Sequence, residues 1–227
     1  MSAIATRRSS RVAPPEFAKT REQLVLVSPY FIPGKKGVEA LRRVRERGVQ
    51  VRVVTNSLAS TDVVPVFAAY RKYRRALLEA GVELYEVDPA ASRPGPGGQG
   101  QQAEGDDPAG GKRARAALHG KLLVFDCRKF FVGSMNLDPR SAFTNTEVGF
   151  VVEAPDLTAR LCEGLERAIA SGAFRVDLRR EPSGATKIEF TGRENGAGVR
   201  FSSEPRSGGW RRFTAWFYSL LPIEPLL

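Results

Sequence analysis

Histidine occurs once in this chain of 227 residues, at His119. A mechanism that draws two imidazoles from a single copy is therefore excluded. Cysteine is almost as scarce. Cys127 and Cys162 stand far apart and outside any Cys-x-x-Cys spacing, so neither a disulfide framework nor a zinc site is expected, and a reducing compartment is the default. No stretch reaches the roughly 18 apolar residues that a bilayer-spanning helix needs. The first 23 residues carry Arg7, Arg8 and Arg11 but no apolar core of signal-peptide length. There is no internal repeat.

What is present describes an ordinary globular domain with a strongly basic surface. Apolar residues make up 42% and charged residues 26%, which excludes wholesale disorder. The formal charge of +10 favours an anionic partner: nucleic acid, acidic lipid or a phosphate-bearing substrate.

Three segments follow from composition: a basic flexible lead over 1–23, a folded domain over 24–181, and an extension over 182–227. Within the domain, residues 24–31 (LVLVSPYF) read as a buried strand and 35–47 as a helix closed by Gly48. Residues 49–55 form the next strand, 64–80 a helix closed by Gly81, and 82–87 a third strand. This β-α-β-α-β order predicts helices over a largely parallel sheet. Residues 89–115 are Gly-, Pro- and Gln-rich, too polar to pack, and read as a flexible loop. Beyond it, 117–126, 129–134 and 145–152 are strand-like, 155–171 is an amphipathic helix, and 174–178 and 187–190 are short strands. The final helix, 210–221, carries Trp210, Phe213, Phe217 and Leu220 on one side. That side either packs on its own domain or lies at a lipid headgroup layer beside Arg211 and Arg212.

The lone histidine lies in a dense polar pattern, HGKLLVFD, with Lys121 two residues on and Asp126 seven on. Residues two apart on a strand share a face, so His119 and Lys121 point together. A hairpin closed around Cys127 and Arg128 would set Lys121 opposite Ser134 and His119 opposite Asn136. Imidazole, ammonium, hydroxyl and carboxamide would then share one face, a set suited to a phosphodiester. Lys121 neutralises phosphate charge, Ser134 and Asn136 bond the non-bridging oxygens, and His119 attacks phosphorus or protonates the leaving oxygen. Asp126 has the opposite parity and a supporting, turn-fixing place.

The runs HGKLLVFD, GSMN and NTE resemble the HxKxxxxD…GSxN…E signature of the phospholipase D superfamily. Position by position, the resemblance assigns His119, Lys121 and Asp126 to the catalytic motif and Lys121, Ser134 and Asn136 to the substrate phosphate. It makes Glu147 the acid that orients a catalytic imidazole. SPYFIPG, GVQVRVVTNSLASTD, GSMNLDPRS and LLPIEPLL further resemble the C-terminal half of bacterial cardiolipin synthases in that superfamily. The resemblance implies an α/β fold, a mixed β-sheet flanked by helices, acting without metal or other cofactor through a phosphohistidine intermediate. It implies a phospholipid substrate such as phosphatidylglycerol and peripheral contact with an anionic membrane, on the cytoplasmic side. Family members of this kind carry two motifs, whereas this chain carries one. The missing half comes from an upstream region or from a homodimer partner, or else the chain is an inactive lipid-binding fragment. A homodimeric single-motif nuclease is the alternative activity, with nucleic acid the weaker partner.

Overall fold

The computed structural model describes residues 16–91, 117–143, 145–194 and 196–224. Most of the loop expected over 89–115, and the first fifteen residues of the basic lead, lie outside the described residues. The rest of that lead is ordered: Glu16–Lys19 forms a short helix, α1, whose Phe17 enters the core.

The strands form one nine-stranded sheet in the order β6-β5-β4-β1-β2-β3-β7-β8-β9. Its centre is β1 (Gln23–Val27), β2 (Gln50–Asn56) and β3 (Glu83–Val87), which are parallel. On one flank follow β4 (Leu122–Phe125), β5 (Lys129–Gly133) and β6 (Gly149–Glu153), and on the other β7 (Ala173–Arg180), β8 (Thr186–Glu194) and β9 (Ala197–Phe201), all antiparallel to their neighbours. The sheet is thus mixed, and parallel only where βαβ crossovers demand it.

Burial on both faces explains why β1 reads as an unbroken apolar run after Gln23. In β1, Leu24 and Leu26 enter one cluster while Val25 and Val27 enter the other. The larger cluster lies under α2 (Gly34–Glu46), α3 (Val64–Arg71) and α4 (Arg74–Glu79), the smaller under α6 (Pro155–Gly172); α5 (Pro139–Phe143) is a single turn. Gly48 (φ 86°) and Gly81 (φ 78°) close α2 and α4 in the left-handed conformation that glycine adopts without strain.

Three differences from the sequence expectation have physical causes. The helix expected over 64–80 breaks at Lys72 and Tyr73, whose N–H groups bond back three residues to Ala69 and Tyr70. The break turns Arg74 inward, where its guanidinium meets Glu86 at 2.8 Å and Glu204 at 2.7 Å among the rings of Phe67, Tyr70 and Phe190. Glu204 thereby ties the chain after β9 to the core. The residues assigned to an extension supply β8, β9 and α7 (Gly209–Ser219), which packs on α3.

The two cysteines are also corrected. Cys127 and Cys162 form a disulfide, with Cα atoms 6.0 Å apart. A separation of 35 residues said nothing of proximity; the β4–β5 turn and α6 happen to meet over the smaller cluster. The reducing compartment inferred from unpaired thiols loses its basis.

Candidate active site

The parallel strands all end at one edge of the sheet, and β4 to β6 bring His119, Lys121, Ser134 and Glu147 to that same edge, with Asp126 at the other. β4 begins where β1 ends, with Leu122 opposite Val27, while β5 ends and β6 begins at Gly133 and Gly149. Polar groups collect at such carboxyl edges because the strand ends leave backbone N–H and C=O groups to be satisfied.

The hairpin register differs by one residue from the expectation. The turn holds three residues, Asp126 to Arg128, so Phe125 pairs with Lys129 and Leu122 with Val132. Asp126 (φ 52°) and Cys127 (φ 48°) both adopt the left-handed conformation, which is unusual for side chains other than glycine. Asp126 is held there by its own carboxylate, which accepts the backbone N–H groups of Arg21, Glu22 and Gln23 at 2.8–3.2 Å. It braces the start of β1 against the hairpin, at the opposite end of β4 from His119.

Continuing this register would place Lys121 against Gly133, and the Gly133 N–H indeed points to the Lys121 carbonyl at 3.4 Å. Strand pairing then stops. Residues 117–121, expected as strand, leave the ladder because Asn56 replaces the partner strand. Its carboxamide accepts the Leu118 N–H at 2.9 Å and donates to the Leu118 carbonyl at 3.2 Å. The Ser60 hydroxyl donates to the same Asn56 oxygen at 3.0 Å and bonds Ser57 in turn. Asn56, Ser57 and Ser60 are all buried. This polar knot fixes the backbone one residue before His119.

His119 itself is exposed, and Lys121 Nζ donates to its carbonyl at 3.2 Å. Ser134 lies across the edge. Its N–H donates to the Val148 carbonyl at 2.8 Å, and its hydroxyl accepts the Val148 N–H while donating to Glu147 at 2.5 Å. Asn145 donates to the other Glu147 oxygen at 3.3 Å. The carboxylate expected on the imidazole is thus engaged with Ser134 and Asn145. Asn136 carries a buried Oδ1 that finds no hydrogen-bond partner among the described residues. Leaving such an acceptor unmade costs about 1–3 kcal/mol, a strain concentrated beside the motif.

Glycine at 133 has a steric reason. It pairs with Gly149, and a Cβ on Gly133 would lie 2.4 Å from the Val148 carbonyl oxygen, while one on Gly149 would lie 2.2 Å from the Phe131 ring. Close approach of β5 and β6 under that ring presents Ser134 and Glu147 together. At this end of the sheet Val132, Val148 and Phe150 expose apolar surface.

Sequence reading found the motif residues but passed over Asn56, Ser57 and Ser60. Their signal was the Asn-Ser pair directly after an apolar strand, where α/β sheets gather polar groups. Among the described residues, no cluster of His, Cys, Asp and Glu is spaced to hold a metal ion.

An α/β sheet with a polar carboxyl edge and one imidazole beside a lysine is the architecture of a phosphodiester-handling domain. The family described as "Cardiolipin synthase, PLD-like domain" matches residues 15–169. The chain belongs to this family of the phospholipase D superfamily. It is 34% identical over 206 residues to cardiolipin synthase C of Escherichia coli K12, covering 91% of this chain and 41% of that protein. Cardiolipin synthase B of Escherichia coli O6:H1 is 26% identical over 159 residues, covering 70% and 32%. Nuc of Salmonella typhimurium, a solved phospholipase D family member, aligns with a TM-score of 0.49 at 16% identity, covering 69% of this chain and 84% of that one. The chain spans about two fifths or less of these two synthases' lengths.

Proposed function

We propose that the chain is the C-terminal half of a two-motif phosphatidyltransferase of the cardiolipin synthase kind. The observation that carries this reading is the 34% identity to cardiolipin synthase C along 91% of the chain. Lys121 neutralises the phosphate, and Ser134, aligned by Glu147, bonds a non-bridging oxygen together with Asn136. His119 works as the general acid and base. An imidazole of the other half attacks the donor phosphorus, and the leaving glycerol oxygen takes its proton from His119. The hydroxyl of a second phosphatidylglycerol then returns a proton to His119 and attacks the phosphohistidine. Two phosphatidylglycerol molecules give cardiolipin and glycerol.

One imidazole cannot be well placed for both attack and protonation. The exposed Val132, Val148 and Phe150 offer the other half an apolar seat next to the motif. A homodimer would use the same surface, and sizing the protein in solution separates the two arrangements. The Cys127–Cys162 bond favours an oxidising compartment over the cytoplasmic side expected from the sequence. No helix among the described residues is long and apolar enough to cross a membrane.

The test is to incubate the protein with its other half and phosphatidylglycerol, and to assay cardiolipin and glycerol. Equimolar products are expected. Release of phosphatidic acid alone would reassign the site to hydrolysis, and cleavage of DNA in EDTA without lipid turnover would favour the nuclease.

A further inference from the structure

The last helix, α7, packs on α3 yet turns its large apolar side chains outward. Only Ala215 is fully buried, whereas Trp210, Phe213, Trp216, Phe217 and Leu220 are each 48–79% exposed. Among the described residues, five of the nine exposed large apolar side chains thus sit on this one short segment. The rings of Trp210, Phe213 and Trp216 run in a row, with centroids 5.6 and 5.7 Å apart. Beside this row opens a cleft of about 600 Å³ whose mouth carries Arg71, Arg75, Lys187 and Arg212, with Phe213 and Trp216 on its rim. The one carboxylate lining it, Glu204, is held by the buried Arg74. Arg75 meets the exposed Glu79 at 3.8 Å and donates to the Thr186 carbonyl at 2.7 Å, while the exposed Lys187 meets the half-buried Glu181 at 2.8 Å. Such surface pairs are weak and exchange readily for a phosphate.

Aromatic rings over a ring of cations match the two layers of an anionic bilayer surface, acyl boundary and phosphate headgroups. The orientation also suits the chemistry. Arg211 donates from α7 to the carbonyls of Leu58 and Thr61, in the loop that follows Asn56 at the carboxyl edge. The start of α7 and the half-site therefore share one end of the molecule.

We propose that α7 and the cation-lined cleft beside it form a docking surface for an anionic phospholipid bilayer, separate from the half-site and holding that site at the headgroup layer. The inference shares with the proposed function only its phospholipid class.

Both tryptophans of the chain, Trp210 and Trp216, lie on α7, so tryptophan emission, excited where tyrosine does not absorb, reports this helix alone. The intact protein is titrated with phosphatidylcholine vesicles containing about 30% phosphatidylglycerol, with pure phosphatidylcholine vesicles, with glycerol 3-phosphate and with duplex DNA. A blue shift and protection from acrylamide are expected with the anionic vesicles only, reversed by salt. Arg75→Gln with Lys187→Gln should weaken partitioning about thirtyfold, from about 1 kcal/mol per charge near the surface. Phe213→Ser with Phe217→Ser should abolish the shift while circular dichroism stays that of the wild type. His119→Ala should bind vesicles as the wild type does, which separates failure of docking from failure of the chemistry. Equal binding to neutral vesicles, binding untouched by either double variant, or loss of binding in His119→Ala would overturn the proposal. A matching shift with glycerol 3-phosphate would reduce the site to one for soluble anions, and a stronger one with DNA would assign the surface to nucleic acid.

Discussion

Replacing Asn56 by alanine should damage the half-site without touching a motif residue. The carboxamide makes four hydrogen bonds in a buried setting, two with the Leu118 backbone, one with Ser60 and a longer one, at 3.5 Å, to the Pro29 carbonyl. Truncation leaves the Leu118 N–H, the Leu118 carbonyl and the Ser60 hydroxyl without that partner. At roughly 1 kcal/mol for each buried group left unpaired, the loss is about 3 kcal/mol, a large share of the 5–15 kcal/mol typical of a domain. The loss should be local before it is global. Residues 117–121 have no strand partner there, so the segment carrying His119 would fray first. A misplacement of about 1 Å at a reacting group costs on the order of 100-fold in rate. Urea denaturation gives the global term and hydrogen exchange at the Leu118 amide the local one. An Asn56→Ala protein within about 0.5 kcal/mol of the wild type, with Leu118 still protected, would refute the reasoning.

Asp126→Asn should cost about 2 kcal/mol in denaturant midpoint while leaving the pH dependence of turnover unchanged, because its carboxylate binds the N–H groups of residues 21–23 and lies away from the imidazole; an altered pH profile would return it to the chemistry. Under denaturing, non-reducing conditions no free thiol should react at Cys127 or Cys162, and two should after reduction. Cys162→Ser should lower stability by about 3–4 kcal/mol, from the closed loop of 35 residues. Burial pushes the Glu86 carboxyl up to about 7, with Arg74 opposing and Glu204 adding to the rise. A raised folded value means that the protonated form is the better folded one, so its contribution is full below the unfolded value near 4.5 and is lost as pH rises through 7. Relative to Glu86→Gln, the wild type should therefore gain stability on going from pH 8 to pH 5, and a flat difference between the two denaturation series would contradict this.

Much of the fold was legible because burial on both faces writes itself into β1 as a continuous apolar run, because β2 begins with a strand's alternation, and because Gly48 and Gly81 mark helix ends. The candidate motif residues were singled out by their spacing together with the family resemblance. The hairpin register was not, since two- and four-residue loops preserve one parity and the observed three-residue turn reverses it. That turn depends on Asp126 bonding backbone groups more than a hundred residues away, which no local pattern reveals. The break after Arg71 was hidden for a similar reason: Arg74 looks like a surface residue of an amphipathic helix until Glu86 and Glu204 are brought to it. β9 was missed because a Gly-rich run such as GAGVRF weakens every strand signal, and only pairing with β8 makes it one.

The most direct measurement is the rate of phosphatidylglycerol conversion in EDTA by the two-half enzyme, wild type against His119→Ala. Loss of cardiolipin formation by several orders of magnitude, with folding and vesicle binding intact, is the expected result. Undiminished conversion by His119→Ala would show that the chemistry lies elsewhere and contradict the account.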